Sequence, residues 1–162
     1  MRLWLRSPNI YEFQPSITIE HNAYETIKST VEQSPRMETG GILIGHDQPN
    51  NVHITYASMP GPNAVQTPTK FLRDNDYCKE VLFEQYNKFG TNYVGEWHSH
   101  VVNLHGMSFG DCMTLASIMH DPDYNFESFA IIVATIFKGE LRLTGYIAKN
   151  DCIQNTIIKI KS

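Results

Sequence analysis

The sequence lacks the features of disulfide-rich, secreted or membrane-spanning proteins. Its 162 residues include three scattered cysteines (Cys78, Cys112 and Cys152) and no Cys-x-x-Cys pair. An odd number of isolated cysteines is typical of reduced thiols, so we expect a cytoplasmic protein. The longest apolar stretch, Phe129 to Phe137, is far shorter than the roughly 20 residues of a membrane-spanning helix. The initial apolar run is also too short for a secretory signal. We therefore expect no association with a membrane.

Positive charge is also scarce. The 13 Lys and Arg are outnumbered by 17 Asp and Glu, which gives a formal net charge of −4, and the basic residues form no long run. Nucleic-acid-binding proteins usually carry a basic patch, so no nucleic-acid partner is expected. The hydrophobic share of 41% and the charged share of 19% are those of an ordinary globular protein. At this length we predict a single domain over residues 1–162.

Helical and strand-like patterns alternate along the chain. Asn22, followed three residues later by Glu25, matches the pattern of a capping box, so a helix is predicted from about residue 23 to 33. The apolar residues after Asp74 repeat at helical spacing up to Gly90, which predicts a second helix with a glycine at its end. The segment between them, residues 59–69, is rich in turn residues and is predicted to be a long loop.

Strands are predicted on both sides of that loop. The glycine-bounded segment 40–45 and the alternating segment 52–58 predict a hairpin. The continuously apolar residues 129–137 predict a central strand covered on both faces. Ile158 and Ile160 alternate with lysines, which predicts an edge strand. We therefore expect a mixed α/β fold in which helices flank a sheet.

The most informative segment is His98-Ser-His100, followed after seven residues by Ser108 and after two more by Asp111. Alternate residues of a strand point to one side, so both imidazoles can reach one point. Asp111 would join them from the first turn of the next helix. Two histidines and one carboxylate leave a fourth zinc position open, which is typical of catalytic sites. The sequence therefore predicts one Zn²⁺ per chain. Ser108 and Asp111 also spell a capping box, a structural interpretation compatible with the first.

A zinc hydrolase also needs a general base, and two glutamates are candidates. Glu96 shares strand parity with His98 and His100, so its side chain could point at the same site. Glu38 stands immediately before the Gly-Gly start of a strand, where backbones can approach closely. The residues alone leave this choice open.

The histidine, serine and aspartate pattern resembles the JAMM motif of MPN-type zinc metalloproteases, a family that includes zinc deubiquitinases and the prokaryotic JAB-domain group. Residues 38–45 are similar to the family's first strand with its catalytic glutamate. The sequences GEWHSH at 95–100 and PGPN at 60–63 are similar to those of the bacterial branch. The resemblance covers residues 36–148. It departs from the family at Val101, where the family usually has proline after the second histidine.

The resemblance implies an MPN/JAB domain, which is a curved mixed β-sheet flanked by helices with a cytidine-deaminase-like architecture. It also implies hydrolysis of the bond after the C-terminal glycine of a ubiquitin-like protein or a similarly tailed conjugate. In these terms His98, His100 and Asp111 bind zinc. Glu38 transfers a proton to the leaving amine, and Ser108 donates a hydrogen bond to the oxyanion.

The same resemblance implies a biological setting, with alternatives. Bacterial relatives resemble deconjugating enzymes of anti-phage signalling systems, with E1-like and E2-like partners and a nucleotide-signal synthase as target. The alternatives are processing of sulfur-carrier proteins and a non-catalytic MPN-like scaffold. Cys112 as a nucleophile is a weaker interpretation, since it lies on the apolar face of a third helix, which is predicted from Ser108 to about His120. For substrate binding, Glu96 and His105 are the candidates.

Overall fold

The computed structural model describes residues 14–101, 106–124, 126–150 and 152–162. Within these ranges the chain forms three helices and nine strands. In chain order they are β1 (Ser16–Ile19), α1 (His21–Gln33), β2 (Gly40–Gln48), β3 (Asn51–Ala57), β4 (Val65–Thr67), β5 (Lys70–Leu72), α2 (Asn75–Phe89), β6 (Asn92–Ser99), α3 (Phe109–Met119), β7 (Phe129–Phe137), β8 (Glu140–Lys149) and β9 (Cys152–Ile160). None of these helices has the length and apolarity needed to cross a lipid bilayer.

Seven strands form a closed barrel in the order β1-β3-β2-β6-β7-β8-β9. The closing contact is the parallel pair of β1 and β9, in which Ser16 lies opposite Ile157 and Ile19 opposite Ile160. β1 also pairs in parallel with β3. The expectation of an MPN/JAB architecture, a curved mixed sheet flanked by helices and similar to cytidine deaminases, is therefore wrong, because the sheet closes on itself. β9 has partners on both sides, β8 and β1, and so it is not the edge strand that its alternating lysines predicted.

The barrel interior is filled by branched aliphatic side chains and Trp97, all nearly inaccessible to solvent. α1 packs against this cluster through Ala23, Ile27 and Val31, which recur at helical spacing. The predicted cap of this helix is wrong. Glu20 occupies the N-cap position without a side-chain cap, and Asn22 lies inside the first turn, where its amide donates to the Thr55 carbonyl oxygen. The other two helices contribute to separate, smaller clusters outside the barrel.

The second predicted helix is confirmed as α2. Asp74 caps its start, since its carboxylate accepts a hydrogen bond from the backbone of Tyr77, and Gly90 ends it in the left-handed conformation. The segment before α2 is not a continuous loop. Its last part forms β4 and β5, which pair with each other as a separate two-stranded sheet.

Candidate metal centre

The candidate site is built on the outer face of β6, which lies between β2 and β7 in the barrel. Trp97 and Ser99 are buried, whereas Glu96 and His98 are half-buried on the opposite face. His100 follows the strand and is itself buried. Its backbone is fixed because its N–H donates to the Ala134 carbonyl oxygen at 3.0 Å. The two-residue spacing on a strand thus brings both imidazoles to one side, as strand geometry requires.

Three potential ligand atoms meet at this point. Nε2 of His98 and Nε2 of His100 are 3.3 Å apart, and each lies 3.1 Å from Oδ2 of Asp111. Ligands of a tetrahedral zinc ion at 2.0–2.1 Å are separated by about 3.3 Å from one another. The three atoms therefore have the spacing of three corners of a zinc tetrahedron. In the described part of the chain they form the one group of such side chains that could hold a metal ion.

Asp111 is held in place by the start of α3. Ser108 is the N-cap, and its hydroxyl accepts a hydrogen bond from the Asp111 backbone N–H at 3.1 Å. In return, Oδ2 of Asp111 accepts a hydrogen bond from the Ser108 backbone N–H at 2.7 Å. This is a reciprocal capping box. The structural and functional interpretations of the motif therefore coexist, because the cap fixes the carboxylate that faces the histidines.

Glu38 lies just before β2 and contacts the second histidine. Its Oε1 is 3.1 Å from Nδ1 of His100, the ring nitrogen that does not face His98 and Asp111. Its backbone N–H donates to the Thr67 carbonyl oxygen of β4 at 2.8 Å. Glu38 is buried, with a relative exposure of 8%. A carboxylate in this position holds the imidazole in the tautomer whose Nε2 can bind a metal.

His100 and Asp111 each stabilise the charged form of the other. The hydrogen bond to Asp111 raises the pKa of His100 above its ordinary value, against burial, and the hydrogen bond to Glu38 adds to this increase. Burial would raise the pKa of Asp111, but hydrogen bonds with His100 and His98 outweigh it and lower that pKa strongly. Asp111 is therefore a carboxylate at neutral pH and supplies the negative charge that a cation would meet.

The carboxylate of Glu96, the other candidate base, is paired with Tyr93 and Arg73. Its Oε1 accepts a hydrogen bond from the Tyr93 hydroxyl at 2.5 Å and forms an ion pair with Nη1 of Arg73. The same Nη1 donates to the Tyr93 hydroxyl oxygen at 2.9 Å. The sequence patterns did not predict that Arg73 and Tyr93 lie beside the site. The one sequence feature that could have drawn attention to Arg73 is its position immediately before the helix cap Asp74. Glu96 still lines the groove that contains the histidines.

That groove has a volume of about 440 Å³. Residues 68–72, which comprise the β4–β5 turn and β5, form one wall, and the groove-facing side of α3 forms the other. Glu38, His98, His100, Ser108 and Asp111 all line it. The structure thus brings together the five residues that the motif and its resemblance single out.

The two other candidates are His105 and Cys112. His105 lies outside the described residues. Cys112 is half-buried rather than buried in the core, and its thiol is not among the groove-lining groups. Cys112 therefore does not add to the site.

Comparisons with known proteins find relatives of part of the chain. No protein-family model matches it. A curated protein of Escherichia coli (strain TW11681) named CD-NTase/cGAS isopeptidase is 36% identical over 77 residues, which are 46% of this chain and 49% of that protein. A protein of the same name from Enterobacter hormaechei subsp. hoffmannii (strain UCI 50) is 32% identical over 111 residues, 67% of this chain and 58% of that protein. The chain thus spans about half the length of the curated relatives it matches.

A solved structure shares the fold. The solution structure of protein DSY2949 from Desulfitobacterium hafniense superimposes with a TM-score of 0.68 at 19% sequence identity. The match covers 90% of this chain and 93% of that one. At this identity the likeness describes the fold alone.

Proposed function

We propose that this chain is a zinc-dependent isopeptidase that hydrolyses the bond after the C-terminal glycine of a protein conjugate. The observation that carries the proposal is the triangle of Nε2 of His98, Nε2 of His100 and Oδ2 of Asp111, with sides of 3.1–3.3 Å, on the floor of a groove. The two curated relatives named isopeptidase support the reaction class. The proposed substrates and partners follow from the same names and from the JAMM resemblance.

The donor set fits zinc in its chemistry as well as its spacing. Imidazole nitrogen and carboxylate oxygen are common zinc ligands, and three protein ligands leave a fourth position for a catalytic site. A zinc ion held there would supply Lewis acidity and a water nucleophile at neutral pH. The protein's part is to hold His98, His100 and Asp111, and the capping box and the contact of Glu38 with His100 do this.

Glu38 and Ser108 are assigned the proton and charge chemistry. The Glu38 carboxylate would take a proton from the attacking water and pass it to the leaving amine. Because Glu96 is paired with Arg73 and Tyr93, Glu38 is the better candidate for the base. The Ser108 oxygen accepts a hydrogen bond from the Asp111 backbone, so its own hydrogen can be donated to the developing oxyanion.

The groove suits an extended chain. Residues 68–72, which are the β4–β5 turn and β5, line it without a gap, whereas the three residues of β4 do not line it. β5 therefore presents its edge to the groove, and an extended substrate tail can pair with such an edge by main-chain hydrogen bonds. We propose that the tail of the conjugate lies between β5 and α3, with the scissile bond at His98 and His100.

The proposed setting is a bacterial anti-phage system. The curated relatives carry CD-NTase/cGAS in their names, and we propose that a CD-NTase conjugate or a ubiquitin-like conjugate is the substrate here. E1-like and E2-like proteins are the proposed partners that form the bond. An intact set of ligands, glutamate and serine argues against the scaffold alternative.

The test uses two reporter fusions and metal analysis. One fusion joins a ubiquitin-like protein through its C-terminal glycine to a fluorescent protein, and the other joins a CD-NTase through its C-terminus to the same reporter. We expect about one zinc per chain and cleavage of at least one fusion at the junction. A chelator should stop cleavage, and added zinc should restore it. Absence of zinc together with intact fusions would favour the scaffold, and cleavage that survives chelation would exclude the zinc mechanism.

A further inference from the structure

The small sheet of β4 and β5 needs support from outside itself. Each strand has three residues, and an isolated two-stranded hairpin is marginally stable at best. Val65 and Leu72 are both exposed, so burial within the hairpin contributes little. Because β5 forms one wall of the groove, whatever fixes this hairpin also fixes the width of the groove.

Three contacts connect the hairpin to the barrel. The Thr67 carbonyl oxygen accepts a hydrogen bond from the Glu38 backbone at 2.8 Å. The Phe71 ring lies over Gly40, where an added Cβ would be 2.6 Å from Cε1 of that ring. The third contact is Arg73, which follows β5 directly and reaches Glu96 and Tyr93 on β6.

The third contact is a closed set of polar interactions. Glu96 accepts from the Tyr93 hydroxyl and pairs with Arg73, and Arg73 also donates to Tyr93. Nε of Arg73 donates to Oδ1 of Asn75 at 3.0 Å, at the start of α2. Burial raises the pKa of Tyr93 well above its ordinary value, so its hydroxyl remains a donor. Arg73 and Glu96 are each about one-fifth exposed, and such partly desolvated pairs lose more when one partner is removed than surface pairs do.

A β-bulge makes this set possible. On β6, Gly95 lies opposite Leu43 and Tyr93 lies opposite Ile44, so Val94 is the additional residue. A bulge reverses the alternation of side chains beyond it. Tyr93 therefore faces the same side as Glu96 and His98, although strand parity alone would point it inward, and Val94 enters the barrel core instead.

We propose that Arg73, Tyr93 and Glu96 form a positioning cluster that holds β5 beside the metal-binding histidines and thereby sets the affinity of the groove for an extended substrate tail. The cluster takes no part in bond cleavage. The affinity part rests on the proposed function. The structural part does not, because it concerns the position of the hairpin in the free protein.

The structural part is tested by hydrogen–deuterium exchange of the full chain. The variants are Arg73→Met, Glu96→Gln and Tyr93→Phe. Because Tyr93→Phe removes only a hydroxyl, it is the variant that best preserves folding. We expect amides of residues 64–73 to exchange ~10-fold faster or more, since hydrogen bonds to charged groups are among the stronger ones. The exchange rates of the amides of β2 and β7 should not change.

Lys88→Met is the matched control for this experiment. It also removes one positive charge from an ion pair, the exposed pair with Glu84 on α2. Unchanged exchange of residues 64–73 in all three variants would overturn the proposal.

The affinity part is tested with whichever reporter fusion the wild type cleaves. We expect the three variants to raise KM about 10-fold, to change turnover by less than about twofold, and to retain the wild-type zinc content. The double variant Arg73→Met/Glu96→Gln should be no worse than the worse single variant, because the residues act as one unit. Turnover that falls about 100-fold while KM stays unchanged would overturn the positioning role, since Glu96 would then belong to the chemistry. If the wild type cleaves neither fusion, the proposed function fails, while the exchange experiment still decides the role of the cluster.

Discussion

Oε1 of Glu38 lies 3.1 Å from Nδ1 of His100, on the side of the ring away from His98 and Asp111. One carboxylate thus both contacts a proposed zinc ligand and lines the groove in which we propose that it transfers a proton. Substitutions at Glu38 can separate these two tasks.

We expect Glu38→Gln to retain zinc and to lose turnover. The glutamine carbonyl oxygen can still accept the His100 N–H, but an amide cannot act as a base. Glu38→Ala removes both functions and should also weaken zinc binding by about 10–100-fold. Zinc content by mass spectrometry and cleavage of the reporter fusion would measure the two effects. An active Glu38→Gln protein would exclude the assigned base.

Ser108 caps α3, and its proposed second task is to donate a hydrogen bond to the oxyanion. Ser108→Ala should lose about 1 kcal/mol of unfolding free energy with the cap, and its turnover should fall by a factor of about 10²–10³ with the loss of the donor. Ser108→Gly is the informative partner, since glycine at an N-cap costs only a few tenths of a kcal/mol. We expect Ser108→Gly to be nearly as stable as the wild type and as inactive as Ser108→Ala. If urea unfolding and kinetics instead show a stable, active glycine variant, the serine serves the cap alone.

The close approach of strands at Gly40 predicts a stability effect. An added Cβ would lie 2.4 Å from the Trp97 carbonyl oxygen, which is backbone and cannot move aside. We expect Gly40→Ala to reduce the free energy of unfolding by about 1–3 kcal/mol through overpacking. Gly110→Ala is the control, because its nearest neighbour atom would be 3.7 Å away. In a helix this second change should leave the unfolding free energy equal to or slightly above that of the wild type. Equal stabilities of the two variants would contradict the prediction.

A pH effect is expected at the start of α1. Oε1 of Glu20 is 2.6 Å from Nε2 of His53 and 3.3 Å from Nζ of Lys161. The hydrogen bond with His53 lowers the pKa of Glu20, against an opposing effect of burial. Because the folded-state pKa is below the unfolded value of about 4.3, the stabilisation is present above that pH and disappears as the pH falls through the folded-state pKa.

This effect can be isolated by comparing wild type with Glu20→Gln in urea unfolding from pH 7 to pH 3. The wild type should be the more stable protein at pH 7, and the difference should vanish in acid. Glu25→Gln removes the same charge from the exposed His21–Glu25 pair of the same helix and serves as the control. A stability difference that stays constant over the whole range would show that the interaction is not linked to Glu20 ionisation.

The residues that meet at the candidate metal site could be identified from the sequence because their geometry is local. His98 and His100 are two residues apart on one strand, and Ser108 and Asp111 are three apart at a helix start. Both spacings determine which way the side chains point, without knowledge of the rest of the fold. The helix α2 and the hairpin of β2 and β3 were predictable for the same reason.

The closed barrel was not predictable from the same patterns. Ile158 and Ile160 alternate with lysines, and this alternation is the same whether the strand is an edge or pairs on both sides. Besides its neighbour β8, β9 pairs with β1, at the other end of the described chain. The Tyr93–Glu96 contact was hidden for a related reason, since the bulge at Val94 changes which side chains share a face.

The pairing of β1 with β9 has a consequence for folding. Pro15 and Thr156, which are joined by a hydrogen bond across this seam, are 141 residues apart in sequence. Contacts between such distant residues slow folding, because a long loop must be closed before they form. During synthesis the three proposed zinc ligands, His98, His100 and Asp111, leave the ribosome before the last strand does. A nascent chain can therefore contain all three proposed zinc ligands while its barrel is still open, and under the zinc proposal the order of metal binding and barrel closure is a kinetic property of the protein.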